Sequence, residues 1–353
     1  MYHPRFKGRH YEMGLKFGNI LKKANITFPI RLDKFQLEFG RKSSRLLKKY
    51  FPEAAEEIRG ITDVICCNNE AFSAWMMCMG CCLYNLEDEN NIEVRGCTAF
   101  SFEHNNRVYY GRDNDLPPFL KKGSKSICYQ PENVNSFLLN TSSFINGEEG
   151  INCFGFTAAM TFVLPKLEEI KPGFNSVFIV RYLLEKCKNV SEGISALQSI
   201  PIASSCNILM ADTSGDMVVA ECTPGKIFFR YPESEGGRRF IVTVNHFVSE
   251  EMLVYDAAAG RGEYFSSERY QTAYYALKNT EITDGTTFCR ELLSGKHGFI
   301  CSYDKKSNFD TIWSSVFNLT TGEIYRAEGN PARAKYIQDD RSDKYIRIPQ
   351  QLK

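Results

Sequence analysis

The chain of 353 residues carries almost no charge excess: 43 lysines and arginines face 42 aspartates and glutamates, a formal +1. With no net field, nucleic acid or an anionic membrane would not be gathered by bulk charge, so any partner has to be argued from a site. Histidine is scarce, with five in all. None lies between His10 and His104, so the cysteine-rich interval Cys66, Cys67, Cys78, Cys81 and Cys82 lacks the second ligand pair of a zinc site, and iron-sulfur spacing is not matched either. These cysteines stand among Ile65, Ala71, Trp75, Met76, Met77 and Met79 in a helical pattern, which predicts small core residues. A glycine-rich loop followed by Lys-Ser or Lys-Thr is also missing, which excludes the usual phosphate cradle. No stretch approaches the roughly 18 apolar residues of a membrane span. Arg5, Lys7, Arg9, Glu12 and Lys16 interrupt the opening segment where a signal peptide would need an apolar core. The thirteen cysteines form an odd, frameless set that fits a reducing compartment better than a disulfide scaffold. The expectation is a cytoplasmic protein with no metal, no cofactor, no nucleic-acid partner and no membrane partner.

What is present is patterned. Apolar residues recur three or four apart from Tyr11 to about Cys82, as in Met13, Phe17, Ile20 and Leu21 and again in Ala54, Ile58, Ile61 and Ile65, so the first quarter reads as helix, with Pro52 as a helix opener. Residues 86–93 are acidic and polar and read as a loop just before Cys97. Thr98 to Phe102 and Arg107 to Tyr110 alternate as a hairpin, and strands follow at Ser136 to Leu139 and Phe154 to Phe162. Helices are predicted at Asn175 to Cys187 and Ser191 to Gln198. A meander of Asn207 to Asp212, Asp216 to Glu221 and Lys226 to Arg230 turns at Ser214-Gly215 and Pro224-Gly225. A strand ends at Thr243, a helix covers Ser267 to Lys278, and a last hairpin joins Thr311 to Asn318 with Glu323 to Glu328. Neither a repeat nor a linker divides the chain, which favours one domain over residues 1–353.

The informative run is Arg95-Gly96-Cys97-Thr98-Ala99-Phe100 with Gly111-Arg112-Asp113-Asn114-Asp115. A tight hairpin brings Cys97 and Arg112 to neighbouring strand ends. Glycine before the thiol lets the backbone bend, so the thiolate can attack the Gly96 carbonyl and give a thioester that water opens. The cut would expose a Cys97 α-amine whose ordinary pKa, about 8, is close to that of a thiol at about 8.5, so the amine can take the thiol proton without histidine. Arg112 and Asp115 could hold amine and thiol by charge-assisted hydrogen bonds. Spacing alone also fits a buried core cysteine, with Arg112 and Asp115 as a structural ion pair. A papain-like pairing with His246 or His297 lacks its Cys-Gly-Ser-Cys-Trp signature, and His246 reads as a satisfied structural histidine at a strand end.

Several landmarks occur in one order along the chain: Gly8-Arg9-His10-Tyr11-Glu12-Met13-Gly14 with Phe17-Gly18, Gly96-Cys97-Thr98, the Gly-Arg-Asp-Asn-Asp run, Asn207 to Asp212 with Gly215 and Glu221, Val244-Asn245-His246-Phe247, Ser267-Glu268-Arg269-Tyr270 and Gly329-Asn330-Pro331. In these the sequence resembles the acyl-coenzyme A:6-aminopenicillanic acid acyltransferase family, related to choloylglycine hydrolases and penicillin V acylases. The resemblance implies the N-terminal nucleophile hydrolase fold, an α+β four-layer sandwich of two antiparallel sheets between helices. It implies autocatalytic division into a helical segment 1–96 and a catalytic chain 97–353, cut at Gly96-Cys97. It makes Cys97 the nucleophile and amine base, Asp115 the partner of that amine, Arg112 the arginine of the choloylglycine branch and Asn245 an oxyanion donor. Thr161 falls near the second oxyanion donor, a backbone amide, and Arg269 matches an arginine that braces the site. The implied activity is hydrolysis or acyl transfer at linear amide bonds, on a small acyl-amide or acyl-thioester substrate, and there is room for a symmetric homo-oligomer. The alternative is a scaffold of the same fold that does not mature and acts as a binding protein.

Overall fold

The structure, a computed structural model, describes the chain apart from residues 27, 29, 80–95, 236, 258–264, 305–307 and 349–353. Strand β1 (Arg5–Gly8) leads into helices α1 (His10–Lys23), α2 (Lys34–Tyr50), α3 (Pro52–Ile65) and α4 (Asn69–Met79). Local chemistry starts two of them: Asp33 and Gln36 exchange side-chain and backbone hydrogen bonds ahead of α2, and Pro52 opens α3, where its missing N–H costs nothing. Next come β2 (Gly96–His104), β3 (Arg107–Leu116), β4 (Lys125–Pro131), β5 (Phe137–Thr141), β6 (Glu149–Asn152) and β7 (Thr157–Phe162). Helices α5 (Ser176–Lys186) and α6 (Val190–Ser199) precede β8 (Cys206–Ala211), β9 (Met217–Thr223), β10 (Lys226–Arg230), β11 (Glu233–Glu235) and β12 (Arg238–Thr243). The remainder is α7 (Glu250–Leu253), α8 (Ser266–Asn279), α9 (Gly285–Leu293), β13 (Tyr303–Asp304), β14 (Phe309–Asn318), β15 (Glu323–Ala327) and β16 (Ile337–Gln338).

The strands form two sheets. One runs β1-β4-β5-β6-β7-β8-β9-β10, the other β11-β12-β2-β3-β14-β15-β16 with β13 on β14. Only the β1–β4 pair of these ladders is parallel. The period of two along each strand sorts residues between layers. Ala158, Met160, Ile208 and Met210 pack with apolar residues of α1, α3 and α5, such as Phe17, Ile58 and Leu183. Their neighbours Ala159, Leu209 and Ala211 face Ala99, Tyr110 and Phe317 of the other sheet. Phe100, Phe102 and Val316 turn the opposite way, toward Leu277 of α8 and Phe288 of α9. The result is the helix-sheet-sheet-helix sandwich implied by the resemblance.

The patterns for α1, α3, α5, α6, α8, the meander and the last hairpin match these elements to within a few residues. Strands β4 and β6 escape the pattern because both faces are covered, and Ser126, Glu149 and Asn152 are buried polar residues where alternation would ask for apolar ones. The strand read from Phe154 begins only at Thr157, because Gly155 turns the chain at φ +75. One cysteine reading is corrected: Cys66 is exposed at the left-handed end of α3, Cys67 is half-buried and Cys78 is buried, while Cys81 and Cys82 lie outside the described residues. A helix end in that conformation swings its side chain outward, which periodicity alone does not register.

A buried ionic network ties the helical layer to its sheet. Arg181 of α5 donates to Glu57 of α3 at 2.9 Å, to Glu185 at 3.0 Å and to the Ile145 carbonyl at 2.7 Å. His10 meets Glu185 at 2.7 Å and Tyr129 of β4 donates to Glu57 at 2.9 Å. Helices α1 and α3 also approach closely, since a Cβ on Gly60 would stand 2.3 Å from the Tyr11 carbonyl oxygen and one on Gly14 2.1 Å from that of Glu57. Gly60→Ala should therefore destabilise the protein by about 1–3 kcal/mol through overpacking, read as a lower denaturation midpoint with an unchanged far-ultraviolet spectrum.

Candidate active site

The hairpin β2–β3 pairs Gly96 with Asp115, Cys97 with Asn114, Thr98 with Asp113 and Ala99 with Arg112. Alternation then places Cys97, Arg112 and Asn114 on the face toward the other sheet, with Ala99 and Tyr110, and Gly96, Thr98, Asp113 and Asp115 on the face toward α8. Arg112 and Asp115 accordingly lie on opposite faces of β3 and form no ion pair with each other.

On the inner face, Arg112 donates from Nη2 to Cys97 Sγ at 3.1 Å and to Asn114 Oδ1 at 2.8 Å, and from Nη1 to the Met160 carbonyl of β7. Cys97 Sγ also reaches Asn114 Oδ1 at 3.4 Å. Cys97 is 4% exposed and lines a cavity of about 380 Å³ between the ends of β2, β3 and β7 and helix α4. Trp75, Met79, Leu116, Phe144, Met160 and Phe162 make most of its wall apolar, with Asn114, Ser142, Ser143 and Glu148 as polar exceptions. Burial pushes the Cys97 thiol up. Arg112 pulls against this, Asp115 adds to it, and Arg269 opposes it again.

Two side chains hold the backbone at Cys97. Its N–H donates to Asn245 Oδ1 at 2.8 Å. Arg269 of α8 donates to the Cys97 carbonyl at 2.6 Å, to Thr98 Oγ1 at 2.9 Å and to the same Asn245 Oδ1 at 2.9 Å. Asn245 Nδ2 in turn donates to the Phe162 carbonyl at 2.8 Å. This set of partners fixes which end of the Asn245 amide is oxygen, because two N–H donors converge on one side and a carbonyl on the other.

Asp115 lies beside Gly96, its Oδ2 3.1 Å from where a Gly96 Cβ would be. Thr311 and Ser302 donate to its two oxygens at 2.5 and 3.1 Å. Burial pushes both Asp115 and Asp113 above the usual carboxyl range, and Asp113 further, since it faces Asp115 and neither of its oxygens has a hydrogen-bond partner. Ser314, opposite Asp113, gives its proton to the Arg112 carbonyl or shares it with Tyr336. Two hydroxyl donors and the nearby Arg269 charge favour the anionic form of Asp115 over that of Asp113, against the burial that raises both.

Thr161 is brought to the site as a support, not through contact with the thiol. Its hydroxyl donates to the Val244 carbonyl at 2.5 Å, and Asn207 Nδ2 donates to that carbonyl at 2.9 Å and to the His246 carbonyl at 3.1 Å. The Met160 amide points to Glu148 on the β6 side, so alternation aims the Thr161 amide toward β8. Asn114 stands out in the sequence only as a departure, at a position where many acyltransferase relatives carry a tryptophan, and Asn207 sits inside a landmark run without a role of its own; Glu148, Ser302 and Thr311 carry no local signal.

His246 is the structural histidine expected: its Nδ1 faces Ser266 Oγ at 2.8 Å, and that oxygen accepts the Asn245 amide at 3.0 Å. Burial, with Arg269 and Arg230 nearby, lowers its pKa to about 4. Folded protein then binds fewer protons than unfolded protein between pH 6.5 and about 4, so this group's contribution to stability falls as pH falls through that window. Acidification from pH 6.5 to 4 should cost the wild type more stability than His246→Gln, measured as the change in urea midpoint. Among the described residues no cluster of three or more histidine, cysteine or acidic side chains could hold a metal ion, and no helix is long and apolar enough to cross a membrane.

No curated protein matches the chain. Among solved structures, penicillin V acylase from Agrobacterium tumefaciens is similar with 15% identity and a TM-score of 0.46, over 69% of this chain and 85% of that one. A mutant of conjugated bile acid hydrolase from Clostridium perfringens is similar with 12% identity and a TM-score of 0.48, over 71% and 94%. Residues 101–333, well over half of the chain, match the sequence profile described as Acyl-coenzyme A:6-aminopenicillanic acid acyl-transferase, and the chain belongs to that family.

Proposed function

We propose that the protein is a cysteine-nucleophile hydrolase or acyltransferase acting on linear amide bonds, activated by its own cleavage between Gly96 and Cys97. The observation that carries the reading is the placement of Cys97: its sulfur opens on an apolar cavity against Arg112, and its backbone nitrogen is held by Asn245. In maturation the Cys97 thiolate attacks the Gly96 carbonyl carbon, the Gly96–Cys97 C–N bond breaks, and the departing nitrogen takes a proton to become the Cys97 amine. Water then opens the thioester, leaving a Gly96 carboxylate and a free thiol, and the chain becomes segments 1–96 and 97–353.

In catalysis the Cys97 amine receives the thiol proton, and the thiolate attacks the acyl carbon of a small acyl-amide or acyl-thioester substrate. Cleavage turns the Cys97 amide into an amine that keeps N–H groups for Asn245 Oδ1, while Asn245 Nδ2 keeps one N–H beyond its bond to Phe162 for the developing oxyanion. The ammonium of Cys97 returns its proton to the leaving amine, and water or an acceptor amine resolves the acyl-enzyme. Asp115, the anion beside Gly96, steadies the new ammonium. Arg112 steadies the thiolate and offsets the burial that disfavours it. Arg269 locks Asn245 and the Cys97 carbonyl into register.

Intact mass spectrometry of the purified protein should find two fragments divided at Gly96-Cys97, and Cys97→Ala should remain one chain and be inert toward amides. A single full-length species after long incubation under reducing conditions would favour the binding scaffold. Asn245→Ala should lower turnover about a hundredfold or more with the fold intact, measured on protein whose cleavage has been checked; undiminished turnover would remove Asn245 from the oxyanion site.

A further inference from the structure

Among the described residues lining the Cys97 cavity, Glu148 is the one carboxylate, and the chemistry above does not use it. It is 7% exposed. Its oxygens accept only from Ser142, from the amide at 3.1 and 3.3 Å and from the hydroxyl, which leaves part of its acceptor capacity of about four sites unfilled. No cation of the described residues comes within ion-pair distance of it. Arg112 and Lys125 act on it only at range. The Nη groups of Arg112 go to Met160, Cys97 and Asn114, and Lys125 Nζ bonds the Gly123 carbonyl at 2.5 Å and lies over the Phe17 and Phe144 rings.

A buried carboxylate without a paired cation, in a wall that is mostly aromatic and aliphatic, is costly, and a ligand that brings its own cation relieves that cost. We propose that Glu148 selects the acyl group: it receives a positively charged amine carried on an otherwise apolar, aromatic acyl chain, so the preferred substrates are amides of aromatic amino acids. The acyl part of this inference rests on Cys97 being the nucleophile, whereas the recognition of the amine does not. Glu148 also holds the turn between β5 and β6 through Ser142. Glu148→Gln separates the two roles, because the glutamine oxygen still accepts from Ser142 while the charge is gone.

The test titrates wild type and Glu148→Gln calorimetrically at pH 7.5 with phenylalkylamines of one to four methylenes and with the matching alcohols. At least one amine should bind about tenfold or more tighter than its alcohol, the scale of one charge-assisted hydrogen bond, and Glu148→Gln should reduce that advantage to about threefold or less. An amine no better than its alcohol throughout the series, or an advantage that survives in Glu148→Gln, overturns the proposal. The kinetic arm compares kcat/KM for p-nitroanilides of phenylalkanoic acids with and without the amino group on cleaved enzyme. A matching preference, lost in Glu148→Gln, supports the acyl assignment, and amine binding without it overturns that assignment. If the chain stays uncut and hydrolyses nothing, the nucleophile reading fails, and the amine titration still decides Glu148.

Discussion

The site depends on one buried cation that cannot shed its proton. Arg112 is fully buried between the two sheets, and a guanidinium keeps its charge there, so acceptors and negative charge must converge on it. From β7 it takes the Met160 carbonyl, and from its own sheet the Cys97 sulfur and Asn114. One side chain thus fastens the sheets together at the point where the thiol lies. Burial alone would make Cys97 inert, and the same burial strengthens its attraction to Arg112. Glu149, which accepts from Tyr110, Asn140 and Trp313, sets a further negative charge near Arg112 in the gap between the sheets.

The groups farther out limit how these atoms can move. Thr161 and Asn207 bind the carbonyls at 244 and 246, Ser266 binds the amide at 245, and Arg269 spans Asn245 and the Cys97 carbonyl. The Asn245 side chain is therefore held from both flanks and across the strand, the kind of support that keeps a reactive geometry within a fraction of an ångström. The cavity wall is supported in a similar way. Arg181, anchored by Glu57 and Glu185, bonds the Ile145 carbonyl in the turn that carries Phe144 and Glu148. A network that reads as part of the helical layer thereby also shapes the pocket.

Legibility in the sequence followed the physics of each element. Helices α1 and α3 could be read because one face is buried and one is not, and β8 to β10 because short turns punctuate them. Strands β4 and β6 could not, since both faces are covered and the polar side chains on them are satisfied by other layers. Within the site, Cys97, Arg112, Asn245 and Arg269 stand in the ordered landmarks, and the structure brings Arg112, Asn245 and Arg269 each onto Cys97. Asp115 was found as well, but on the face of β3 opposite Arg112, as its odd spacing from Arg112 dictates. Thr161 was drawn to the right strand, where its hydroxyl serves the segment bearing Asn245.

By itself the sequence determined the hairpin, the glycine before the thiol, and the order of landmarks that carry the family, because these depend on residues close together in the chain. Tertiary structure alone decided which carboxyl would have hydroxyl donors and a nearby cation to favour its anion, which amide end of Asn245 would face Cys97, and that Glu148 would stand without a cation in the cavity wall. Those outcomes rest on contacts such as Cys97 with Asn245, 148 residues apart, and Asp115 with Thr311, 196 residues apart. Burial and electrostatics act through space, so no pattern local to the chain could have encoded them in readable form.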